Sequence, residues 1–269
     1  MPADLIPPAP AHWGPIRALD CVDSTMLTAR AWALDGAREG STLVAERQRA
    51  GRGRQGRSWA SAAATGLWCT LVLRPPPRAD IASLGLVAGL AVRTAVAQLG
   101  APQAQLKWPN DVLVGGRKLA GVLLELASAA DGAAPLVLVG MGINIAPAAT
   151  LPPPLRLQAI GLQDLPQLAA QPVRRLQRQL LPLIRGCLAQ YYTLWRARGL
   201  APLLGRWAAV DALAGRWVQL ADSAGPVQGV AWGPDLDGAL RLQRPSGQWT
   251  AVRTGVPEML GHPARTEGL

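Results

Sequence analysis

Residues 106–126 read LKWPNDVLVGGRKLAGVLLEL, three short strand-forming runs parted by two turns. Pro109 stiffens the chain, and Asn110 and Asp111 favour a turn because their side chains bond nearby backbone. Gly115-Gly116 then signals a tight hairpin joining residues 112–114 to 118–126. Working outward, residues 16–22, 42–46, 66–73 and 136–145 read as further strands. Between them, Asp23 or Ser24 would cap a helix running to about Ala37, and residues 80–99 have helical spacing of Leu, Val and Ala. A Pro-rich loop at 146–171 leads to a long amphipathic helix at 173–198, interrupted by Pro182, and a shorter helix ending at Ala208. Past Ala212 the runs shorten to 216–220, 227–232, 239–243 and 248–252, the spacing of a small β-barrel.

Composition bounds the function. With 269 residues, 49% of them hydrophobic and 16% charged, the chain has ample length for a packed core. The best membrane candidate, 81–92, is too short to span a bilayer and stops at Arg93. The start carries Asp4 and prolines rather than a basic leader, so a cytoplasmic protein is expected. Cys21, Cys69 and Cys187 are odd in number and widely spaced, which speaks against a disulfide framework or a zinc site. The histidines, His12 and His262, lie near the two ends, which speaks against a Ser-His-Asp centre. Chemistry is left to Lys, Arg, Asp, Glu and backbone groups, and no residue is expected to hold a metal. The net charge of +10 favours anionic partners. Its weight is reduced by a bias that writes Arg almost everywhere: the only lysines are Lys107 and Lys118. The only asparagines, Asn110 and Asn144, fall in the same third of the chain.

Four motifs carry the chemistry. Between Arg47 and Arg57 stand five Arg, three Gly and no acid. Glycines let backbone amides approach an anion, and arginine forks neutralise phosphate or carboxylate oxygens. The G-K-[ST] ending of a P-loop is missing, and no helix follows at once as in a dinucleotide fingerprint. KWPND at 107–111 places a carboxylate at a turn, RKLAG at 117–121 opens a strand with a lysine, and GMGIN at 140–144 ends a strand with two glycines and an amide. Taken singly, each has a bland reading: a solvated basic loop, a self-capped turn, an edge-strand charge, a close backbone contact.

Taken together and in this order, with DST at 23–25 and QRAGRGRQGRSW at 48–59, the chain resembles the biotin–protein ligases. The likeness is strong over about 16–146 and architectural beyond. It implies an α+β fold, with a class II synthetase-like mixed or antiparallel sheet and flanking helices at 16–211, an SH3-like C-terminal domain at 212–269, and a flexible tail at 1–15. It implies biotin contacts at Ser24, Thr25, Gln48, Gly51, Arg52, Gly53, Arg54, Trp59, Lys118 and Gly121. It implies nucleotide contacts at Arg52, Arg54, Arg57, Lys118 and Asn144, with Lys118, Arg54 and Asp111 as the catalytic groups. Met26 departs from the family, which usually has Asn after DST. Fewer than 25 residues precede DST, so the form expected is the ligase without an N-terminal DNA-binding domain.

The implied chemistry suits these residue types. A carboxylate is ionised at pH 7 and attacks the α-phosphate of ATP without a base. The obstacle is the meeting of two anions, which a lysine and an arginine-rich loop address. Mg2+ would ride on the ATP phosphates. The acceptor would be a lysine of a biotin carboxyl carrier domain, with Asp111 taking its proton. Other readings are a ligase for another acid such as lipoate, a biotin binder without turnover, and a nucleic-acid binder using the Arg loop with Arg174, Arg175 and Arg178. An exposed edge strand leaves a homodimer open.

Overall fold

β3, Gly66–Leu73, is buried at all eight positions and is an inner strand of the main sheet. A computed structural model describes residues 8–78, 80–127, 135–222 and 225–260. The first and last stretches of the chain, His262 included, lie outside the described residues.

The main sheet has seven strands: β1 (Ile16–Val22), β2 (Thr42–Gln48), β3, β4 (Gln105–Lys107), β5 (Asp111–Val114), β6 (Arg117–Ala127) and β7 (Leu136–Asn144). Their order is β1-β2-β3-β7-β6-β5-β4. Only the β1–β2 pair is parallel, bridged by helix α1, Thr25–Leu34, so the sheet is mixed as expected. Ser24 caps α1 by accepting from Met26 N, which places the DST motif at a strand-to-helix turn. Gly115 and Gly116 both take positive φ, 56° and 75°, as the hairpin between β5 and β6 demands.

Helix α2, Leu84–Leu99, does not stop at Arg93. With its preceding turn it spans 19 residues from Ile81 at mean hydropathy 1.5, long and apolar enough to cross a membrane, but 61% of it is buried in the fold. Arg93 is tolerated because its guanidinium reaches out of the apolar face to the carbonyls of Ala104 and Pro102, both at 2.9 Å. Helix α3, Val173–Arg198, packs along α2 and buries Leu176, Leu180, Ile184 and Leu188, while Arg174, Arg175 and Arg178 face solvent. Helix α4, Ala201–Ala208, leads to the second sheet.

The start of the chain is less loose than its prolines imply. Trp13 is buried, Gly14 N donates to Glu39 O at 2.8 Å, and buried Arg185 donates to Gly14 O at 2.8 Å.

The second sheet has five antiparallel strands in the order β11-β10-β9-β8-β12. They are β8 (Trp217–Asp222), β9 (Gly225–Pro234), β10 (Leu240–Gln243), β11 (Trp249–Val252) and β12 (Glu258–Met259). The sequence pattern foretells the first four. β12, two residues long, has no periodicity to betray it. The two sheets are tied where Leu106 exchanges hydrogen bonds with Val210 O at 2.8 Å and Ala212 N at 2.7 Å, and where buried Trp108 donates Nε1–H to Gly238 O at 2.9 Å.

Candidate active site

One cleft of about 590 Å³ gathers the motifs. Its floor is glycine. A Cβ at Gly142 would lie 2.6 Å from Trp59 Nε1, and one at Gly121 would lie 3.0 Å from Trp59 Cζ3. Only bare backbone lets the indole settle on the sheet at these two paired positions. Trp59 Nε1–H is buried against the Gly142 backbone without a hydrogen-bond partner among the described residues.

The DST turn forms one wall. Gln48 Oε1 accepts from Thr25 N at 2.8 Å and Thr25 Oγ1 at 3.0 Å, and Gln48 Nε2 donates to Ser61 Oγ at 2.8 Å. Thr70 Oγ1 donates to Thr25 Oγ1 at 2.9 Å. This chain of bonds ties the start of α1 to β2 and β3 beside the cleft and fixes the direction of each polar group. Met26, where a polar residue was expected, is buried with its sulfur against bare Gly140, where a Cβ would lie 2.6 Å from Sδ. A soft thioether therefore replaces a hydrogen-bonding group in the floor.

The opposite wall is cationic. Lys118 Nζ stands 2.7 Å from Asp111 Oδ1 and 5.1 Å from the centre of the Trp59 ring. β5 and β6 bring this pair together across a bulge between Val112 and Leu113. Lys118 is braced through its backbone: Asn144 Nδ2 donates to its carbonyl at 3.2 Å, and its N–H donates to Gln158 O at 2.8 Å. Asn144 thus orients the lysine as well as lining the cleft.

The Gly/Arg segment is a small hairpin. Arg52 bridges Ser58, Gly53 N donates to Arg57 O at 2.7 Å, and Gln55 and Gly56 turn at positive φ. Half-buried Arg54 donates from Nη1 to Asn110 Oδ1 at 3.5 Å and Gly255 O at 3.4 Å. Burial draws its pKa below the usual value, with the Asp111 charge opposing and Arg57 adding to the fall. Arg52 and Arg57 line the cleft from the exposed side.

Every site residue expected from the sequence lines the cleft except Gly51. Gly51 is buried at the base of the hairpin, where a Cβ would lie 2.5 Å from Trp59 O. Lys107 and Asn110 also line the cleft, although the sequence reading gave neither a role. Burial lowers the Lys107 pKa, Asp111 opposes, and Lys118 lowers it further. Their signal was the scarcity of both residue types. Val256 and Met259 reach the cleft from the second sheet, and nothing local in the sequence marks them.

The fold and this cleft set the class. The chain belongs to the biotin/lipoate A/B protein ligase family, whose model matches residues 18–144. Within that family the likeness falls on biotin ligases. The biotin–[acetyl-CoA-carboxylase] ligase of Paracoccus denitrificans is 35% identical over 209 residues, 77% of this chain and 85% of that protein. The biotin protein ligase of Aquifex aeolicus, solved in complex with biotin and ATP, superposes with a TM-score of 0.78 at 26% identity, covering 91% of this chain and 98% of that one. The bifunctional ligase/repressor BirA of Bacillus subtilis is 39% identical over 124 residues, 46% of this chain, and the match spans only 38% of that protein's length.

Proposed function

We propose that the protein is an ATP-dependent biotin–protein ligase acting on a biotin carboxyl carrier domain, such as that of acetyl-CoA carboxylase. The observation that carries this reading is that Lys118 and Arg54, held by the neighbouring residues Asp111 and Asn110, line one cleft floored by glycine and tryptophan. An apolar ring and chain can lie on the floor while a carboxylate points at the cations.

In the first step a biotin carboxylate oxygen attacks the α-phosphorus of ATP, and the bond to pyrophosphate breaks. Lys118 and Arg54 stabilise the charge gathering on the phosphoryl oxygens, and the hairpin excludes water from the adenylate. Mg2+ enters with ATP as part of that substrate, held by phosphate oxygens and water. In the second step the acceptor lysine amine attacks the acyl carbon, AMP leaves, and the amine proton passes to Asp111. Thr25, Ser24 and Gln48 present their polar atoms to the biotin head, and Asn144 and Arg57 serve the nucleotide. The catalytic part is placed at 16–211 and the SH3-like part at 212–269. A cytoplasmic setting accords with Cys21, Cys69 and Cys187, all unpaired.

ATP–pyrophosphate exchange tests the reading, run with biotin, with lipoate and with neither. Biotin-dependent exchange is expected, lowered on the order of 100- to 1000-fold in Lys118→Ala. Exchange with lipoate alone would reassign the acid, and none with either would leave a binding protein.

A further inference from the structure

Arg54 is held from the other domain. Its Nη1 donates to Gly255 O, 201 positions away in sequence, as well as to Asn110 Oδ1. Both acceptors are neutral. They position a guanidinium without cancelling its charge, and leave its remaining donors for an anion. Within the Gly/Arg hairpin the bonds are between backbone groups, Gly53 N to Arg57 O, Arg57 N to Arg54 O and Trp59 N to Gly51 O, and none of these reaches the guanidinium.

The second sheet fixes where the Gly255 carbonyl points. Gly255 takes φ +129°, a conformation side chains rarely adopt, and a Cβ there would meet Leu220 Cδ2 at 3.1 Å and Ala221 O at 3.4 Å. Three residues on, Glu258 and Met259 pair with Gln219 and Val218 of β8, and Leu260 N donates to Trp217 O at 2.9 Å. The segment is thus pinned at one end to β8, and Val256 and Met259 line the cleft. A carbonyl and two apolar side chains from one short strap meet the cleft where the hairpin crosses it.

We propose that Gly255 is a positioning residue: the strap 255–259 of the C-terminal domain holds Arg54, and with it the Gly/Arg hairpin, closed over the cleft, so that this domain retains the acyl-adenylate until the acceptor arrives. The inference rests on the ligase reading for what is retained, but the contact itself does not. The C-terminal domain becomes part of the site, acting through Arg54 rather than through the reacting atoms.

Two readouts separate the contact from the reaction. Hydrogen exchange at residues 51–59 reports the hairpin whether or not the protein turns over. Release of biotinyl-adenylate, formed from biotin and ATP with pyrophosphatase and then diluted, reports retention. In Gly255→Ala both rates are expected to rise about tenfold, the scale of a lost charge-assisted hydrogen bond. Arg54→Ala should raise release at least as much. The double variant should release no faster than Arg54→Ala, because both changes break one contact. Parent-like exchange and release in a folded Gly255→Ala would overturn the proposal, as would effects that multiply in the double variant. If Gly255→Ala does not fold, Val256→Ala with Met259→Ala loosens the same strap at two partly exposed positions. Faster exchange at 51–59 then supports the strap, and unchanged exchange overturns it. A parent that forms no adenylate while Gly255→Ala still loosens the hairpin would sink the ligase reading and leave the contact standing.

Discussion

Asp111 sits between two lysines. Its Oδ1 is 2.7 Å from Lys118 Nζ, and its residue pairs across the turn with Lys107. The acceptor amine must lose a proton to become a nucleophile, and Asp111 is the carboxylate that lines this cleft. Asp111→Asn keeps the shape of the turn and removes the charge. Transfer from preformed adenylate to a biotin carboxyl carrier domain should fall about 100-fold or more, read in a single turnover. Normal transfer would place the proton on another group and leave Asp111 with only the task of orienting Lys118. At this scale much was legible. DST, GRGR, KWPND, RKLAG and GMGIN each hold a fixed local geometry, and a short motif carries that information within itself. What could not be read are the partners of those residues. Arg54 meets Asn110 and Gly255, which lie 56 and 201 positions away, and no spacing rule connects them. Asn144 acts on the Lys118 carbonyl for the same reason out of sight of any motif.

Elements with a strong period were equally legible. α1, α2, α3 and the strands of the main sheet fall close to their expected bounds, α3 through a buried stripe that repeats and β3 and β7 as continuous apolar runs bounded by turn residues. The exceptions lack a period of their own and take their order from elsewhere. β12 exists because β8 offers an edge to it. The segment before β1 is anchored by Trp13, which fills the hollow over Gly40, where a Cβ would lie 2.3 Å from the indole Cγ. Arg185 stands 5.9 Å from that ring and bonds the next carbonyl. Trp13→Ala would empty a buried site against a rigid backbone and weaken the hold of Arg185 on Gly14. It should cost about 3–5 kcal/mol, read from the urea midpoint at an unchanged slope. A loss below about 1 kcal/mol would mean the segment peels away freely, as its proline content alone implies.

The whole molecule places a cleft at the junction of two sheets, and that junction bears on how ligands and stability are linked. Trp108 reaches Gly238, Leu106 pairs with the chain entering the second sheet, and Arg54 reaches Gly255. Ligand energy gained in the cleft is therefore shared by both parts, not confined to the first. A ligand that binds only the folded state adds about 4 kcal/mol at a thousandfold excess over its dissociation constant. For a chain of this size each kcal/mol raises the melting temperature by about 2–4 °C. Biotin with ATP should thus raise the midpoint by about 10 °C, more than the two shifts seen separately, because the product of their reaction stays enclosed. Lys118→Ala should shrink the shift with biotin alone, because the carboxylate loses a cation, and should lose the excess altogether. The decisive feature is the number of transitions. A single transition that moves as one makes the C-terminal sheet part of the ligand-bound unit. A second transition that ignores biotin and ATP would make that sheet an independent appendage, with its contacts to Trp108 and Arg54 too weak to transmit anything.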